Sequence, residues 1–238
     1  NKIGKSDKYD HAMKNLSQYL GLHKTKLLIE GYDVSHHAGK YAVASLVKFS
    51  NQGPIKSAYK IFNMPKEFSG NDIGSMTNVL ERRSSRIMLE PFPDIILVDG
   101  GHLQLDAAIR VFDNASKEPP LILSIAKGSN RIRATETILS KNGILEMPKE
   151  SAGFILLQQV RDEAHRFAIQ AHRKKKHSSS KFSQLSMIPG IGPILRARLF
   201  KKFRTISSIK KATIVELIDT DGISITLAKT ITQELKKL

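Results

Sequence analysis

The amino-acid sequence predicts an α/β domain, with a mixed β-sheet flanked by helices, followed by a small all-α domain. Two observations predict the first domain: three strand-like runs come early in the chain, and a β-α-β pattern follows them. A third observation predicts the second domain, because residues 184–238 show only helical periodicity. The 238 residues are enough for one or two domains with their own cores.

The elements of the first domain follow from apolar periodicity and turn residues. Two adjacent runs rich in Val, Ala, Ile and Tyr flank a turn at residues 51–54, which indicates a hairpin. The unbroken run IILV suits a strand that is buried on both faces, and two glycines end it. Strands are predicted at 26–33, 41–49, 55–62, 94–99 and 121–126, and helices at 11–20, 71–83, 103–112 and 154–172. Mixed sheets of this kind include ribonuclease-H-like folds.

A basic, Ser-rich stretch, RKKKHSSSK, follows the last of these helices and has no apolar face. Such composition is typical of a linker. The predicted division is therefore a first domain at 1–175, a linker at 176–183 and a second domain at 184–238. Within the second domain, MIPGIGPILRARLF and TDGISITLAKTI each place a Gly-containing turn before a helix, which indicates a weak internal duplication.

The charge predicts a polyanionic partner. The chain carries 38 Lys and Arg against 22 Asp and Glu, a formal net charge of +16, and nucleic acid is the leading partner for such a surface. A membrane role is disfavoured, because no stretch approaches the roughly 20 apolar residues of a spanning helix and no signal peptide opens the chain. The absence of cysteine excludes disulfides, thiolate zinc sites and a cysteine nucleophile, and it agrees with a cytoplasmic setting. The chain opens on Asn1 instead of Met, which suggests a fragment of a longer protein.

The clearest DNA-binding signal is the pentapeptide PGIGP before a helix. Gly190 and Gly192, on either side of Ile191, allow a tight turn and close approach to a phosphate, and the helix start offers free N–H groups. Gly222 occupies the turn of the second copy. The alternative is an ordinary interhelical turn. Basic side chains that would add phosphate contacts follow the first turn: Arg196, Arg198 and Lys201.

Two acids lie at strand ends. Asp33 closes IEGYD, and Asp99 closes IILVD directly before two glycines. On neighbouring strands such acids can converge on a divalent cation, which selects oxygen ligands. His165, in RDEAHRF on the last helix of the domain, is a third candidate. Alternatively, Asp33 is a strand-end cap and His165 an ordinary structural or exposed histidine.

Several long strings resemble, in order and spacing, the C-terminal half of the UvrC family of bacterial excinucleases: IEGYDVSHHAG, GPIKSAYKIFNM, PDIILVDGGHLQLDAA, SIAKG, LQQVRDEAHRFAIQAHRKKK and IPGIGP. The resemblance implies a ribonuclease-H-like endonuclease domain joined to a tandem helix-hairpin-helix domain, with Asp33, Asp99 and His165 as the catalytic set. Where the family has two acids and an aromatic, this chain reads GNDIGSM, so Asp72 alone carries that acidic role. Lys127, in SIAKG, is a candidate phosphate contact.

The resemblance further implies the incision on the 5′ side of a lesion in nucleotide excision repair. The family's other nuclease domain and the segment that docks on the helicase UvrB precede this region. The expected chemistry is hydrolysis of double-stranded, damaged DNA with Mg²⁺ or Mn²⁺ held by Asp33 and Asp99, and with His165 as a further ligand or a general base.

Arg161 and Arg166, on the His165 helix, would receive the DNA strand; their alternative is a solvated basic face. Two rival functions remain open: a non-catalytic DNA-binding or scaffolding module with a degenerate nuclease fold, and a phosphatase or ribonuclease that acts on another phosphoester.

Overall fold

The structure is a computed structural model that describes residues 3–37, 41–68, 70–86, 89–90, 92–116, 118–127 and 136–236. The chain forms two compact units, Asn1–His172 and Arg173–Leu238. No helix in the described part of the chain is both long enough and apolar enough to cross a membrane.

The first unit is built on an eight-stranded mixed sheet. Seven strands follow the order β3-β2-β1-β5-β6-β7-β8, and β4 pairs with β2. Strands β1, β5 and β6 are parallel, and the other pairs are antiparallel. The strands are β1 (Ile29–His37), β2 (Tyr41–Ser50), β3 (Gly53–Pro54), β4 (Lys60–Asn63), β5 (Ile95–Asp99), β6 (Leu121–Lys127), β7 (Glu136–Ser140) and β8 (Gly143–Leu145).

Within the described residues, four helices pack on the two faces of the sheet, and the last of them continues past His172 into the second unit. They are α1 (Ile3–Tyr19), α2 (Asp72–Ser84), α3 (His102–Ala115) and α4 (Ala152–Ser186). One core packs α1 and α4 against Ile95 and Leu97 of β5, and the other packs α2 and α3 against Ile96 and Val98. Strand β5 is therefore buried on both faces, as the run IILV predicted.

The second unit is all-helical, with α5 (Pro193–Phe203), α6 (Ile206–Lys211), α7 (Ile214–Ile218) and α8 (Ile225–Lys236). Its own apolar core includes Ile191, Leu199, Ile223 and Ile231. Thr213 caps α7 through a reciprocal pair of hydrogen bonds with Glu216. Helices this short depend on such caps and on packing against a shared core, because propensity alone does not hold them.

A buried ionic cluster attaches α2 to the sheet. Glu30 on β1 is fully buried and accepts hydrogen bonds from Arg83 Nε at 3.0 Å and from the Tyr32 hydroxyl at 2.8 Å. Lys48 Nζ lies 3.0 Å from Glu30 and also contacts Glu90. Buried charges need such partners, because an unpaired ion in the core costs several kcal/mol. The sequence pattern had not singled out Glu30.

The predicted strand at 55–62 is wrong over its first half. The pairing Phe49–Pro54 would continue to Leu46 with residue 57, but Leu46 pairs with Lys60. The three extra residues form a 3₁₀ turn, Lys56–Ala58, whose backbone is satisfied by the local bonds Ala58 N–H to Ile55 and Tyr59 N–H to Lys56. Strands β7 and β8 lie in a stretch for which no element was predicted.

The basic stretch after residue 172 is helical, where the sequence predicted the end of a helix and a linker at 176–183. Helix α4 continues to Ser186. The reason is local, since no Gly or Pro occurs between Gly153 and Pro189 and Lys, Arg and Gln are good helix formers. The turn at Pro189 and Gly190 is the first strong stop signal after α4 begins.

Candidate functional site

Asp33 and Asp99 come together because of strand register. Strands β1 and β5 pair in parallel up to Tyr32 and Val98, so the two acids are the next residues on adjacent strands. Side chains alternate between the faces of a sheet, and Asp33 and Asp99 share the face of Ile29 and Ile95, which belong to the core on the α4 side. The predicted convergence of Asp33 and Asp99 is therefore present, but the strand end predicted at Asp33 is wrong, because β1 continues to His37 through its pairing with β2.

Helix α4 brings His165 to the same place. Its Nδ1 lies 3.4 Å from Asp33 Oδ2. One ligand atom each of Asp33, Asp99 and His165 lies within 4.8 Å of the others, so the three can hold one metal ion. The site is open on one side: Asp33 is buried, Asp99 is half-buried and the His165 side chain is 55% exposed. A buried carboxylate beside two more exposed ligand groups suits a divalent cation that solvent can also reach.

A neighbouring hydroxyl orients the buried acid. Ser35, two residues along β1, donates its hydroxyl hydrogen to Asp33 Oδ2 at 2.8 Å. Hydrogen bonds of this kind to a ligating carboxylate fix its orientation at a metal site. The sequence pattern had not singled out Ser35, although its alternate position on the strand of Asp33 places both on one face.

Two other predicted residues of this unit, Asp72 and Lys127, are not members of the three-residue group. Asp72 is the exposed first residue of α2, and the group with converging ligand atoms does not include it. Lys127 ends β6, two residues beyond Ile125, which pairs with Asp99. Lys127 thus lies near the same end of the parallel strands as Asp99.

The two predicted arginines of α4 are engaged with carboxylates. Arg161 is 11% exposed and forms ion pairs with Glu136 and Asp162. Arg166 is about half exposed and binds Glu163 at 2.6 Å, and this hydrogen bond lowers the pKa of Glu163. Arg166 retains an exposed side chain beside His165, whereas Arg161 mainly ties α4 to β7.

The second unit contains two similar turns, each before a helix. Gly190 and Gly222 have φ of 86° and 88°, a left-handed conformation that glycine adopts without strain. In each copy the next residue, Ile191 or Ile223, is buried and its N–H bonds the carbonyl three residues earlier. The duplication predicted from MIPGIGP and TDGIS is therefore present in backbone conformation.

Each turn also packs on the helix of the other copy. A Cβ placed on Gly190 would lie 3.1 Å from Leu227 of α8, and one on Gly222 would lie 2.8 Å from Leu195 of α5. Leu195 and Leu227 both occupy the third position of their helices. This reciprocal contact places the starts of α5 and α8 in one small unit with approximate internal symmetry.

The first turn is open to a ligand. Gly192 caps α5 with φ −78°, and a Cβ built on it meets no atom within 4 Å. Lys201 is exposed, and Arg196 is half-buried. Arg198 is 42% exposed and lies 2.9 Å from the Asp221 carboxylate in the second turn. The second turn therefore carries its own acid, and the first offers the less obstructed amide groups.

Comparisons with known proteins agree with this architecture. Residues 17–169 match the family described as "UvrC RNAse H endonuclease domain", and residues 182–237 match "SAM-like Helix-hairpin-helix tandem". These matches confirm the predicted fold class, a ribonuclease-H-like mixed sheet followed by a tandem helix-hairpin-helix domain.

Curated relatives support the same family assignment. The protein called UvrABC system protein C from Pseudomonas savastanoi pv. phaseolicola is 38% identical over 220 residues, which are 91% of this chain and 36% of the relative. That of Haemophilus influenzae is 35% identical over 98% of this chain and 39% of the relative. The chain thus spans little more than a third of the length of these relatives.

Among solved structures, the catalytic domain of human Endonuclease V is similar at 16% identity and a TM-score of 0.41, over 63% of this chain and 84% of that chain.

Proposed function

Because the chain belongs to the UvrC RNase H endonuclease domain family, we propose that it is a metal-dependent DNA endonuclease that makes the 5′ incision at lesions in nucleotide excision repair. One observation carries the proposal: Asp33, Asp99 and His165 offer ligand atoms within 4.8 Å of one another. Curated relatives named UvrABC system protein C support the repair setting.

The donor set fits a divalent cation such as Mg²⁺ or Mn²⁺. Asp33 and Asp99 would hold it through carboxylate oxygens, which both ions accept, and His165 would add a nitrogen ligand, which suits Mn²⁺ better than Mg²⁺. The Asp33 side chain is only 6% exposed, and a buried carboxylate is stabilised by a cation beside it. When bound, the ion supplies Lewis-acid activation of the phosphodiester and of water.

Side chains of the protein would orient the metal ligands, accept a proton and contact the DNA. Asp33 is oriented by Ser35 and Asp99 by its place at the end of β5. His165 serves as a third ligand or as the base that takes a proton from water, since its exposed ring can reach either role. Arg166, which is about half exposed one residue after His165, is a candidate contact for a DNA phosphate.

DNA affinity is proposed to come mainly from the second unit. The open start of α5 at Gly192 presents backbone N–H groups and the positive end of the helix dipole. Residues 184–238 carry ten Lys and Arg against four Asp and Glu. Contacts of this kind go to the phosphate backbone, so binding should depend weakly on sequence and steeply on salt.

We also propose a domain division. Residues 1–175 form the endonuclease domain, residues 184–238 form the DNA-binding domain, and the helical segment 176–183 joins them. If residues 184–238 fold alone, the excised segment should shift a duplex in a gel at low salt. The partners proposed for the whole protein are damaged double-stranded DNA and UvrB.

An incision assay tests the proposal against its main rival, a scaffolding module. A pre-nicked, lesion-containing duplex is incubated with the full-length protein, its partner proteins and Mg²⁺ or Mn²⁺. We expect 5′ incision by the wild type, none by Asp33→Ala, and wild-type incision by Asp106→Ala, which removes an exposed acid of α3 outside the site. Full cutting by Asp33→Ala would refute the site, and a wild type that binds without cutting would favour the scaffold.

A further inference from the structure

Ser45 fixes helix α4 to the sheet directly beside the site. Ser45 lies on β2 opposite Asp33 in the antiparallel register, and it is fully buried. Its hydroxyl donates a hydrogen bond of 2.8 Å to the carbonyl oxygen of Ala164, the residue before His165. A single buried hydrogen bond therefore joins the strand neighbour of one candidate ligand to the chain neighbour of another.

The close approach of α4 depends on a second feature, Gly31. A Cβ built on Gly31 would lie 2.5 Å from Val160 Cγ1 and 3.1 Å from Val47 Cγ2. Only glycine leaves room for Val160 at this crossing, two residues before Asp33. Gly31 thus sets how near the helix comes, while the Ser45 hydrogen bond sets which residue of the helix lies opposite the acid.

We propose that Ser45 is a positioning residue that holds His165 against Asp33 through the Ala164 carbonyl. The inference rests on the proposed function, because it assigns Ser45 to the same metal site. The role of Ser45 is indirect: it acts through the position of the helix that carries His165.

The Ser45 hydroxyl is not required to satisfy the helix. The Ala164 carbonyl lies inside α4 and has the ordinary helical acceptor role four residues on. Replacing Ser45 by alanine removes the donor together with its bond, so no buried donor is left without a partner. We therefore expect Ser45→Ala to fold normally but to lose the alignment of His165 with Asp33.

The sheet offers a matched control in Ser124. This serine is also fully buried, on β6, and within the described residues its hydroxyl has no hydrogen-bond partner. It pairs with Val98 of β5 and is not one of the three candidate metal ligands. Ser124→Ala therefore removes a buried serine hydroxyl from the same sheet without breaking a link to α4.

The test measures Mn²⁺ affinity of the full chain by electron paramagnetic resonance, with unfolding by urea as a check on stability. We expect Ser45→Ala to bind Mn²⁺ roughly 10-fold more weakly, the scale of change typical for groups that orient metal ligands. Ser124→Ala should bind as the wild type does, and Ser45→Thr, which keeps a hydroxyl, should recover most of the loss. In the incision assay, Ser45→Ala should lower kcat with KM for DNA unchanged.

The outcomes separate this inference from the function on which it rests. If Asp33→Ala abolishes Mn²⁺ binding while folded Ser45→Ala binds as tightly as Ser124→Ala, the positioning role is wrong and the metal site stands. Equal weakening in Ser45→Ala and Ser124→Ala also overturns it, because general loss of packing would then explain both. If Asp33→Ala itself leaves Mn²⁺ binding intact, the proposed metal site fails first.

Discussion

The Nδ1 atom of His165 lies 3.4 Å from Oδ2 of Asp33, so an exposed helix side chain and a buried strand side chain meet at one point. Strand register places Asp33 at this point, and the packing of α4 across the sheet places His165 there. Because these two structural causes involve different residues, substitutions can separate them.

Removing the imidazole distinguishes the two roles open to His165. His165→Ala should lower the incision rate by at least the roughly 100-fold typical of a lost acid–base or metal-orienting group. If the ring is a ligand, Mn²⁺ affinity should fall as well. If it is a base, Mn²⁺ affinity should be unchanged and the rate should recover in part as pH rises. A wild-type incision rate would remove His165 from the site.

The crossing of α4 over β1 can be tested by adding one methyl group. Gly31→Ala should destabilise the first unit by about 1–3 kcal/mol, the usual cost of overpacking a core, because its Cβ meets Val160 at 2.5 Å. Incision should fall in parallel as the helix shifts.

The double variant Gly31→Ala/Val160→Ala provides the control, since it removes the atom that the new methyl group meets. Urea unfolding of both single variants and the double variant gives the coupling energy. We expect the double variant to be more stable than the sum of the single changes predicts. Simple additivity would show that the two residues do not share this contact.

A substitution at Gly192 can test DNA contact without disturbing the fold. Because a Cβ at Gly192 meets no atom of the protein and φ is −78°, Gly192→Ala should leave the melting temperature nearly unchanged. It should still weaken duplex binding, because the added methyl group stands where a phosphate would approach the helix start.

The matched change is Lys201→Ala, which removes an exposed charge from the same helix. Across a salt series, Lys201→Ala should reduce the slope of log affinity against log salt by about one unit. Gly192→Ala should lower affinity without changing the slope. A folded Gly192→Ala protein that binds as tightly as wild type at every salt concentration would argue against phosphate binding at this turn.

The ionic cluster of α2 predicts a pH dependence of stability. The hydrogen bond from Lys48 lowers the pKa of Glu90 to about 2, below its ordinary value of 4.5. The folded state therefore gains stability from ionised Glu90 above about pH 4.5 and loses it as pH falls towards 2. The stability difference between wild type and Glu90→Gln should be constant from pH 6 to 8 and shrink between pH 4.5 and 2. Urea unfolding across this range measures it, and a constant difference at low pH contradicts the assignment.

The convergence of Asp33 and Asp99 was predictable because adjacent parallel strands carry equivalent residues to the same level of the sheet, although β1 ends four residues after Asp33, at His37. The turn glycines were predictable for a similar local reason. By contrast, the bond from Ser45 to Ala164 joins distant segments, and a buried serine in a strand gives no sign of its partner. The same holds for Glu30 and Arg83.

The helix end predicted at residue 172 is wrong for a different physical reason, since α4 continues to Ser186. Basic, Ser-rich composition predicted a linker, yet helix propagation needs only favourable residues and the absence of a stop signal. Strands β7 and β8 were missed because they are three to five residues long and form an edge hairpin, where apolar periodicity is too short to be distinctive.

Asp33, Asp99 and His165 are proposed to hold one catalytic divalent cation. The most direct test is the anomalous scattering of Mn²⁺ in crystals of the full chain grown with the metal. We expect a single strong peak at about 2.0–2.2 Å from carboxylate oxygens of both acids, and we expect this peak to be lost in crystals of Asp99→Asn. A peak elsewhere, or no peak at a Mn²⁺ concentration that supports incision, would contradict it.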